Sequence, residues 1–133
     1  MSDPLAQYPL LNNPTEDEPK IILDKGSNIF QFTGSSMPEN PEKVFGPVLE
    51  WVKAYAEAPN PSTTVEFKMD YFNSSSARFF VEILEQFEEI HDSGSVVKVI
   101  WFHNDDDIVM RERGEDIKAV MGLPFEFRTS NPS

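Results

Sequence analysis

The feature that most constrains this chain is a junction at which a strand pattern changes into a helix pattern. From Val65 to Tyr71, apolar and polar residues alternate, which is typical of a strand with one buried face and predicts that Tyr71 shares that face with Val65. From Ala77 onward, apolar residues recur every three or four positions, as in an amphipathic helix. Asn73 and three consecutive serines lie between the two patterns, and Asn and Ser are favoured helix N-caps. The junction therefore predicts a strand followed directly by a capped helix.

The helix after the junction has more apolar surface than one sheet face can cover. With about 100° between successive residues, the apolar side chains of this helix span an arc of roughly 200°. A helix that packs on one face of a sheet needs only about half of that arc. Phe79, Ile83 and Ile90 form the excess. We expect them to contact either a neighbouring helix or a partner protein.

Before the junction, the sequence predicts an antiparallel hairpin and a helix. Two β-prone segments joined by a turn span residues 20–33. Asn40 is a plausible N-cap, and Pro41 suits the first position of the following helix. Pro47 falls inside that helix and removes one backbone hydrogen bond, so a kink or a delayed start is expected.

After the junction, the sequence predicts a strand, a third helix and a last strand. The nearly continuous apolar run 96–102 is typical of an interior strand. Gly114 is expected to weaken the third helix and Gly122 to cap its C-terminus, while residues 125–128 alternate as a short strand. The order β-β-α-β-α-β-α-β predicts an α/β fold with one mixed sheet and right-handed crossovers.

The two ends of the chain differ in composition from the segment between them. Residues 1–19 contain four prolines and several acidic residues, which predicts a flexible, Pro-rich acidic tail. Residues 20–129 form the predicted domain, and residues 130–133 a short C-terminal tail.

Composition argues against several classes of function. The net charge of −12 disfavours binding to nucleic acid. No segment approaches the roughly 18 apolar residues of a membrane span, and the first residues lack the pattern of a secretory signal. The absence of cysteine excludes disulfides and thiol chemistry and suits a cytoplasmic location. No motif points to a cofactor.

Enzymatic activity has little support in the sequence. The segment from His103 to Asp107 has residue types that can bind a metal ion, but a polar turn at the end of a strand also explains this composition. We therefore predict no metal site. We also predict no catalytic residues. His91 is expected near a helix C-terminus, with no nucleophile placed beside it. A hydrolase using Glu39 and an aspartate stays open as a minor alternative.

The serines after Asn73 allow two interpretations. They can serve only as helix caps, or one hydroxyl can be a phosphorylation site at which the helix dipole stabilises the added anion. Helical spacing places Ser76 toward the apolar side of the helix and Ser75 toward its polar side.

The element order resembles that of the STAS domains of anti-sigma-factor antagonists. That resemblance implies a single mixed sheet with helices packed mainly on one face. It also implies phosphorylation of a Ser or Thr at the start of the helix after the third predicted strand, where Ser74, Ser75 and Ser76 lie.

Two motifs make a more specific resemblance, to the SiaC family of bacterial regulatory phosphoproteins. Residues 34–40, Gly-Ser-Ser-Met-Pro-Glu-Asn, are similar to the family's G-x-S-x-P-E-N loop, and Phe45, Trp51 and Tyr55 follow in the next helix. Residues 71–76, Tyr-Phe-Asn-Ser-Ser-Ser, are similar to its Y-[LF]-N-[ST]-S-S motif. The resemblance covers about residues 20–129.

This resemblance implies a non-catalytic switch without a cofactor. A serine/threonine kinase would phosphorylate Ser74, or Ser75 as second choice, and a PP2C-type phosphatase would remove the phosphate. The unphosphorylated form would bind and activate an effector, a diguanylate cyclase that controls biofilm formation or aggregation. The expected partner-binding residues are Ser36, Pro38, Glu39, Asn40, Asn73, Ser74, Ser75 and Arg78. The alternative is a STAS-like module that binds an apolar small molecule or lipid through its excess apolar surface, independently of phosphorylation.

Overall fold

The computed structural model describes residues 4–129, and in this range a 3-10 helix, Pro4–Gln7, precedes six strands and three α-helices. The strands are β1 (Leu10–Asn12), β2 (Lys20–Asp24), β3 (Ile29–Ser36), β4 (Ser62–Phe72), β5 (Val96–His103) and β6 (Phe125–Thr129). The helices are α1 (Pro41–Tyr55), α2 (Ser74–Asp92) and α3 (Ile108–Ala119). The C-terminal tail predicted at 130–133 lies outside the described residues.

The strands form a single sheet in the sequential order β1-β2-β3-β4-β5-β6. β1, β2 and β3 pair antiparallel, whereas β3 to β6 pair parallel, which confirms the predicted mixed α/β sheet. Sequential parallel strands joined by right-handed crossovers place their helices on the same face. In agreement, Val65, Phe67 and Met69 of β4 are buried, whereas Glu66 and the other residues that alternate with them are not.

The core is built from aromatic side chains between the sheet and the helices. Phe32 and Phe67, from neighbouring strands, stack with ring centroids 4.7 Å apart, and Phe80 of α2 packs edge-on against Phe67 at 5.0 Å. The excess apolar arc of α2 is covered within the molecule. Phe79 stacks on Phe45 of α1 with centroids 5.3 Å apart, and the structure buries the other two members, Ile83 and Ile90. The expectation of a neighbouring helix is therefore confirmed.

The prediction that ordered structure begins at Lys20 is wrong. β1 pairs with β2, Ala6 is buried, and the Trp51 indole N–H donates to the backbone oxygen of Tyr8 at 2.8 Å. Proline is tolerated beside a short edge strand, where one side of the backbone needs no partner, so the proline content did not exclude β1. The segment predicted as a flexible tail thus contains a 3-10 helix and the edge strand.

The predicted orientation of Tyr71 is also wrong, and a β-bulge explains the difference. Gly34 pairs with Met69, but Ser35 pairs with Tyr71, so Asp70 is an extra residue in β4. One extra residue reverses the alternation of side chains. Tyr71 is consequently 48% exposed, while the next residue, Phe72, is buried.

Helix α3 differs from its prediction in its end and in its buried face. It ends at Ala119 with Val120 as C-cap, so Gly122 is not the cap; the Gly122 N–H instead donates to Glu88 Oε1 at 2.7 Å. Gly114 is buried, and a Cβ at this position would lie 2.5 Å from Trp101 Cδ1. This glycine therefore permits close packing of α3 on β5. Among residues 4–129, no helix is long and apolar enough to cross a membrane.

Candidate functional site

Asn73, one of the candidate N-caps at the junction, holds the start of α2. Asn73 is the N-cap, and its Oδ1 accepts hydrogen bonds from the Ser76 backbone N–H at 3.0 Å and from the Ser75 hydroxyl at 3.1 Å. The residue before it, Phe72, ends β4 with its ring in the core. Strand and cap together fix where the three serines lie.

The three serines have three different environments. Ser76 is fully buried, and Ser75 is partly buried with its hydroxyl bonded to Asn73. Ser74 is exposed, and its hydroxyl has no hydrogen bond to any residue between 4 and 129. Ser74 is therefore the member of this run whose hydroxyl is both accessible and uncommitted.

The buried Ser76 joins the serine run to the motif at residues 34–40, of which residues 34–36 end β3 and residues 37–40 form the loop before α1. Its Oγ lies 2.7 Å from Ser36 Oγ and donates to the Ser36 carbonyl oxygen at 3.1 Å. The same carbonyl oxygen accepts the Asn73 backbone N–H at 3.0 Å. Ser36 also pairs with Phe72 in the parallel register of β3 and β4. Both motifs singled out in the sequence thus meet at one end of the sheet.

The loop at 34–40 exposes only part of the predicted partner-binding set. Glu39 and Asn40 are exposed, and Asn40 occupies the N-cap position of α1 without a side-chain capping bond. Ser36 and Pro38 are buried, so neither side chain is accessible to a partner in this structure. We therefore correct their assignment as contact residues. The hydrogen bonds of Ser36 show that it positions the loop.

An arginine from α3, which sequence analysis missed, lines the same groove as Ser74. Arg113 Nη1 donates to the Phe72 carbonyl oxygen at 2.8 Å, and its guanidinium carbon is 4.6 Å from the centroid of the Phe72 ring. A groove of about 260 Å³ is lined by Phe72, Ser74, Ala77, Arg113, Asp116 and Ile117, and we call it the Ser74 groove. Arg113 is remote from Ser74 in sequence, so no local motif signals this proximity. Arg78, which the sequence did single out, is exposed on α2 one turn after Ser74.

Both histidines and Asp107 make hydrogen bonds or close contacts with the backbone. Asp107 caps α3 by accepting the Met110 backbone N–H at 3.0 Å. His91 Nδ1 accepts the Val97 backbone N–H at 3.1 Å, and His103 is buried with Nδ1 2.9 Å from the Asn104 carbonyl oxygen. Within the described chain, no group of three acidic, histidine or cysteine side chains could hold a metal ion.

A second groove, of about 360 Å³, lies near the N-terminal segment, and Tyr8, Leu10 and Trp51 are among its lining residues. This groove differs from the site expected for an apolar ligand, since Ile83 and Ile90 are buried and Phe79 is partly buried and stacked on Phe45.

Comparison with protein families and curated proteins gives concordant matches. A family model described as "SiaC family regulatory phosphoprotein" matches residues 12–130. An uncharacterized protein of Pseudomonas aeruginosa (strain UCBPP-PA14) is 27% identical over 111 residues, which cover 84% of this chain and 88% of the relative.

Solved structures match over nearly the whole chain. Apo-SiaC from Pseudomonas aeruginosa aligns with a TM-score of 0.84 at 26% identity, covering 91% of this chain and 98% of the other. A chain from the crystal structure of the diguanylate cyclase SiaD in complex with its activator SiaC, from the same organism, aligns with a TM-score of 0.84 at 26% identity, covering 91% and 99%.

Proposed function

Because the chain belongs to the SiaC family of regulatory phosphoproteins, we propose that it is a non-catalytic switch controlled by reversible phosphorylation of Ser74. The unphosphorylated form binds and activates an effector, a diguanylate cyclase that controls biofilm formation or aggregation. A dedicated serine/threonine kinase adds the phosphate and a PP2C-type phosphatase removes it, in the cytoplasm. The SiaC structure solved with the cyclase SiaD supports this class of effector.

The observation that carries the choice of Ser74 is the difference among the three hydroxyls. A kinase needs a hydroxyl that can enter its active site, and the exposed Ser74 meets this need without loss of a hydrogen bond. Phosphorylation of Ser75 would remove its bond to Asn73, which makes Ser75 the second choice. Ser76 is buried and bonded to Ser36, so it is inaccessible without local unfolding.

The contacts that hold the start of α2 support a phosphate at this position. The cap at Asn73 and the contact between Ser36 and Ser76 do not involve the Ser74 side chain. The start of a helix also favours an anion electrostatically. We therefore expect phosphorylation to leave the domain folded and to act on the surface that a partner contacts.

The proposed partner surface consists of the exposed residues Ser74, Arg78, Glu39 and Asn40 together with the partly buried Asn73 and Ser75. A phosphate adds a charge of about −1.5 to −2 where the effector would pack against a neutral hydroxyl. Desolvating or repelling such an anion can weaken binding by several kcal/mol, and each 1.4 kcal/mol is about tenfold in affinity. Phosphorylation thereby releases the effector.

The proposal is tested by intact-mass and fragment analysis of the protein isolated from its own cells. We expect a population heavier by one phosphate, located on the peptide spanning residues 71–78. The variant Ser74→Ala should lose that population and activate the effector constitutively, while the matched variant Ser75→Ala retains the phosphate. Undiminished phosphorylation of Ser74→Ala would refute the assignment.

A further inference from the structure

We propose that Arg113 of α3 binds the phosphate on Ser74 and so makes α3 part of the phosphorylation switch. This inference rests on the proposed phosphorylation of Ser74. The relevant observation is that Ser74 and Arg113 line the same groove, although they belong to different helices. A phosphate on Ser74 would enter this groove beside a fixed positive charge.

Arg113 is held in place before any phosphate arrives. Its Nη1 donates to the Phe72 carbonyl oxygen at 2.8 Å, and its guanidinium lies over the Phe72 ring. A guanidinium carries five N–H donors, so this bond leaves others to contact phosphate oxygens, and its planar geometry suits paired bonds to phosphate. The side chain therefore loses little conformational freedom on binding.

The backbone at the start of α2 supplies only part of what a phosphate needs. The Ser76 N–H is taken by the Asn73 side chain, and the Ala77 N–H donates to the Asn73 carbonyl oxygen. In a chain with a net charge of −12, a dianion also needs a nearby cation. The ion pairs found among residues 4–129 do not include Arg113.

Asp116 lines the same groove and opposes the arginine in charge. Its carboxylate should destabilise a phosphate dianion that Arg113 stabilises. The groove thus predicts opposite effects of two substitutions on one measurable property, the second pKa of the phosphate. A merely structural role of Arg113 would not produce this pair of effects.

The test uses the full chain with phosphoserine incorporated genetically at position 74, which removes any dependence on the kinase. Titration followed by ³¹P NMR gives the second pKa of the phosphate, which is about 6 when unperturbed. We expect Arg113→Gln to raise this pKa by roughly 1 unit relative to the parent, because a nearby cation favours the dianion. Asp116→Asn should lower it. The control Arg111→Gln changes an arginine of the same helix that lies outside the groove, and it should leave the pKa unchanged.

A second measurement needs no substitution and covers the case in which Arg113→Gln does not fold. With ¹⁵N-labelled arginine, phosphorylation should shift the Arg113 Nε–H resonance and leave that of Arg111 in place. Equal pKa values for Arg113→Gln and Arg111→Gln, or an unmoved Arg113 resonance, would overturn the inference. Either result would leave the proposed function standing if phosphoserine at position 74 still abolished effector binding. Retained effector binding would instead contradict the proposed function.

Discussion

Removing either hydroxyl of the buried Ser36–Ser76 pair should destabilise the fold by unequal amounts. In the intact pair, the Ser76 hydroxyl donates to the Ser36 carbonyl oxygen, so the Ser36 hydroxyl donates to Ser76 Oγ. Ser76→Ala leaves the Ser36 hydroxyl buried without an acceptor, which costs about 1–3 kcal/mol. Ser36→Ala removes one bond but leaves Ser76 its carbonyl acceptor, which costs about 0.5–1.5 kcal/mol.

The double variant shows whether the destabilisation comes from the broken hydrogen bonding between Ser36 and Ser76 or only from the lost side-chain volume. With both hydroxyls absent, no donor is orphaned, so the double variant should be no less stable than Ser76→Ala alone. If the single changes cost about 2 and 1 kcal/mol and the double change about 2, the coupling energy is about −1 kcal/mol, within the usual range for contacting residues.

The assay is urea unfolding of the four proteins, followed by tryptophan fluorescence and circular dichroism. Ser75→Ala is the matched control, because its hydroxyl is only partly buried, and it should change the unfolding free energy by less than either buried change. Additive single effects, within about 0.3–0.5 kcal/mol, would refute the claim that these hydroxyls connect the loop at 34–40 to α2.

Three further predictions concern packing, charge and pH. Gly114→Ala should lower the unfolding free energy by about 1–2 kcal/mol, because overpacking against Trp101 outweighs the gain in helix propensity; a more stable variant in urea would contradict this. Ser74→Asp should mimic phosphorylation only partly in effector titrations, since it adds one charge on a shorter side chain; full loss of binding, equal to that of phosphoserine, would contradict this. Burial raises the pKa of the Tyr55 hydroxyl above its ordinary value of 10.0. The contribution of Tyr55 to the free energy of unfolding is therefore complete below pH 10 and is lost as pH rises toward the folded-state pKa. Urea unfolding between pH 8 and 11 should show this loss, and Tyr55→Phe should remove it; an unchanged alkaline slope in the variant would contradict the assignment.

The elements that sequence analysis located correctly have strong local signals. The alternation in β4 as far as Met69, the N-cap candidates at the junction and the period of α2 each follow from a few neighbouring residues. The element order then restricted the topology, because parallel strands need crossovers of one hand. The resemblance to the SiaC family implied one partner-binding set from the loop at 34–40 and the serines, and the structure brings these two motifs together at one end of the sheet.

The features that were missed depend on contacts between distant segments. β1 is a three-residue strand whose place is fixed by pairing with β2 and by the bond between Trp51 and Tyr8. The bulge at Asp70 reverses side-chain alternation without any change in composition. Gly114 looks unfavourable within a helix until the close approach of Trp101 is known.

The candidate site was predicted in part. Helical spacing predicted Ser76 on the apolar side of the helix, and the structure buries it, whereas the exposure of Ser74 was not predicted from spacing. The burial of Ser36 and Pro38 does not, because a loop motif gives no information on which of its side chains turn inward. Arg113 could not be found at all, since only the packing of α3 brings it to the groove.

The central claim is most directly tested by measuring the affinity of a diguanylate cyclase from the same cells for this protein with serine or phosphoserine at position 74. Parallel titrations of Ser74→Ala and Glu39→Ala show whether the hydroxyl itself or the loop at 34–40 contributes to binding. The account predicts that the unphosphorylated form binds the cyclase tightly and activates it, and that the phosphorylated form binds at least roughly 100-fold more weakly. It also predicts that the amide NMR spectra of the two forms superimpose away from Ser74. Equal affinities of the two forms, or spectra that show wholesale refolding, would contradict it.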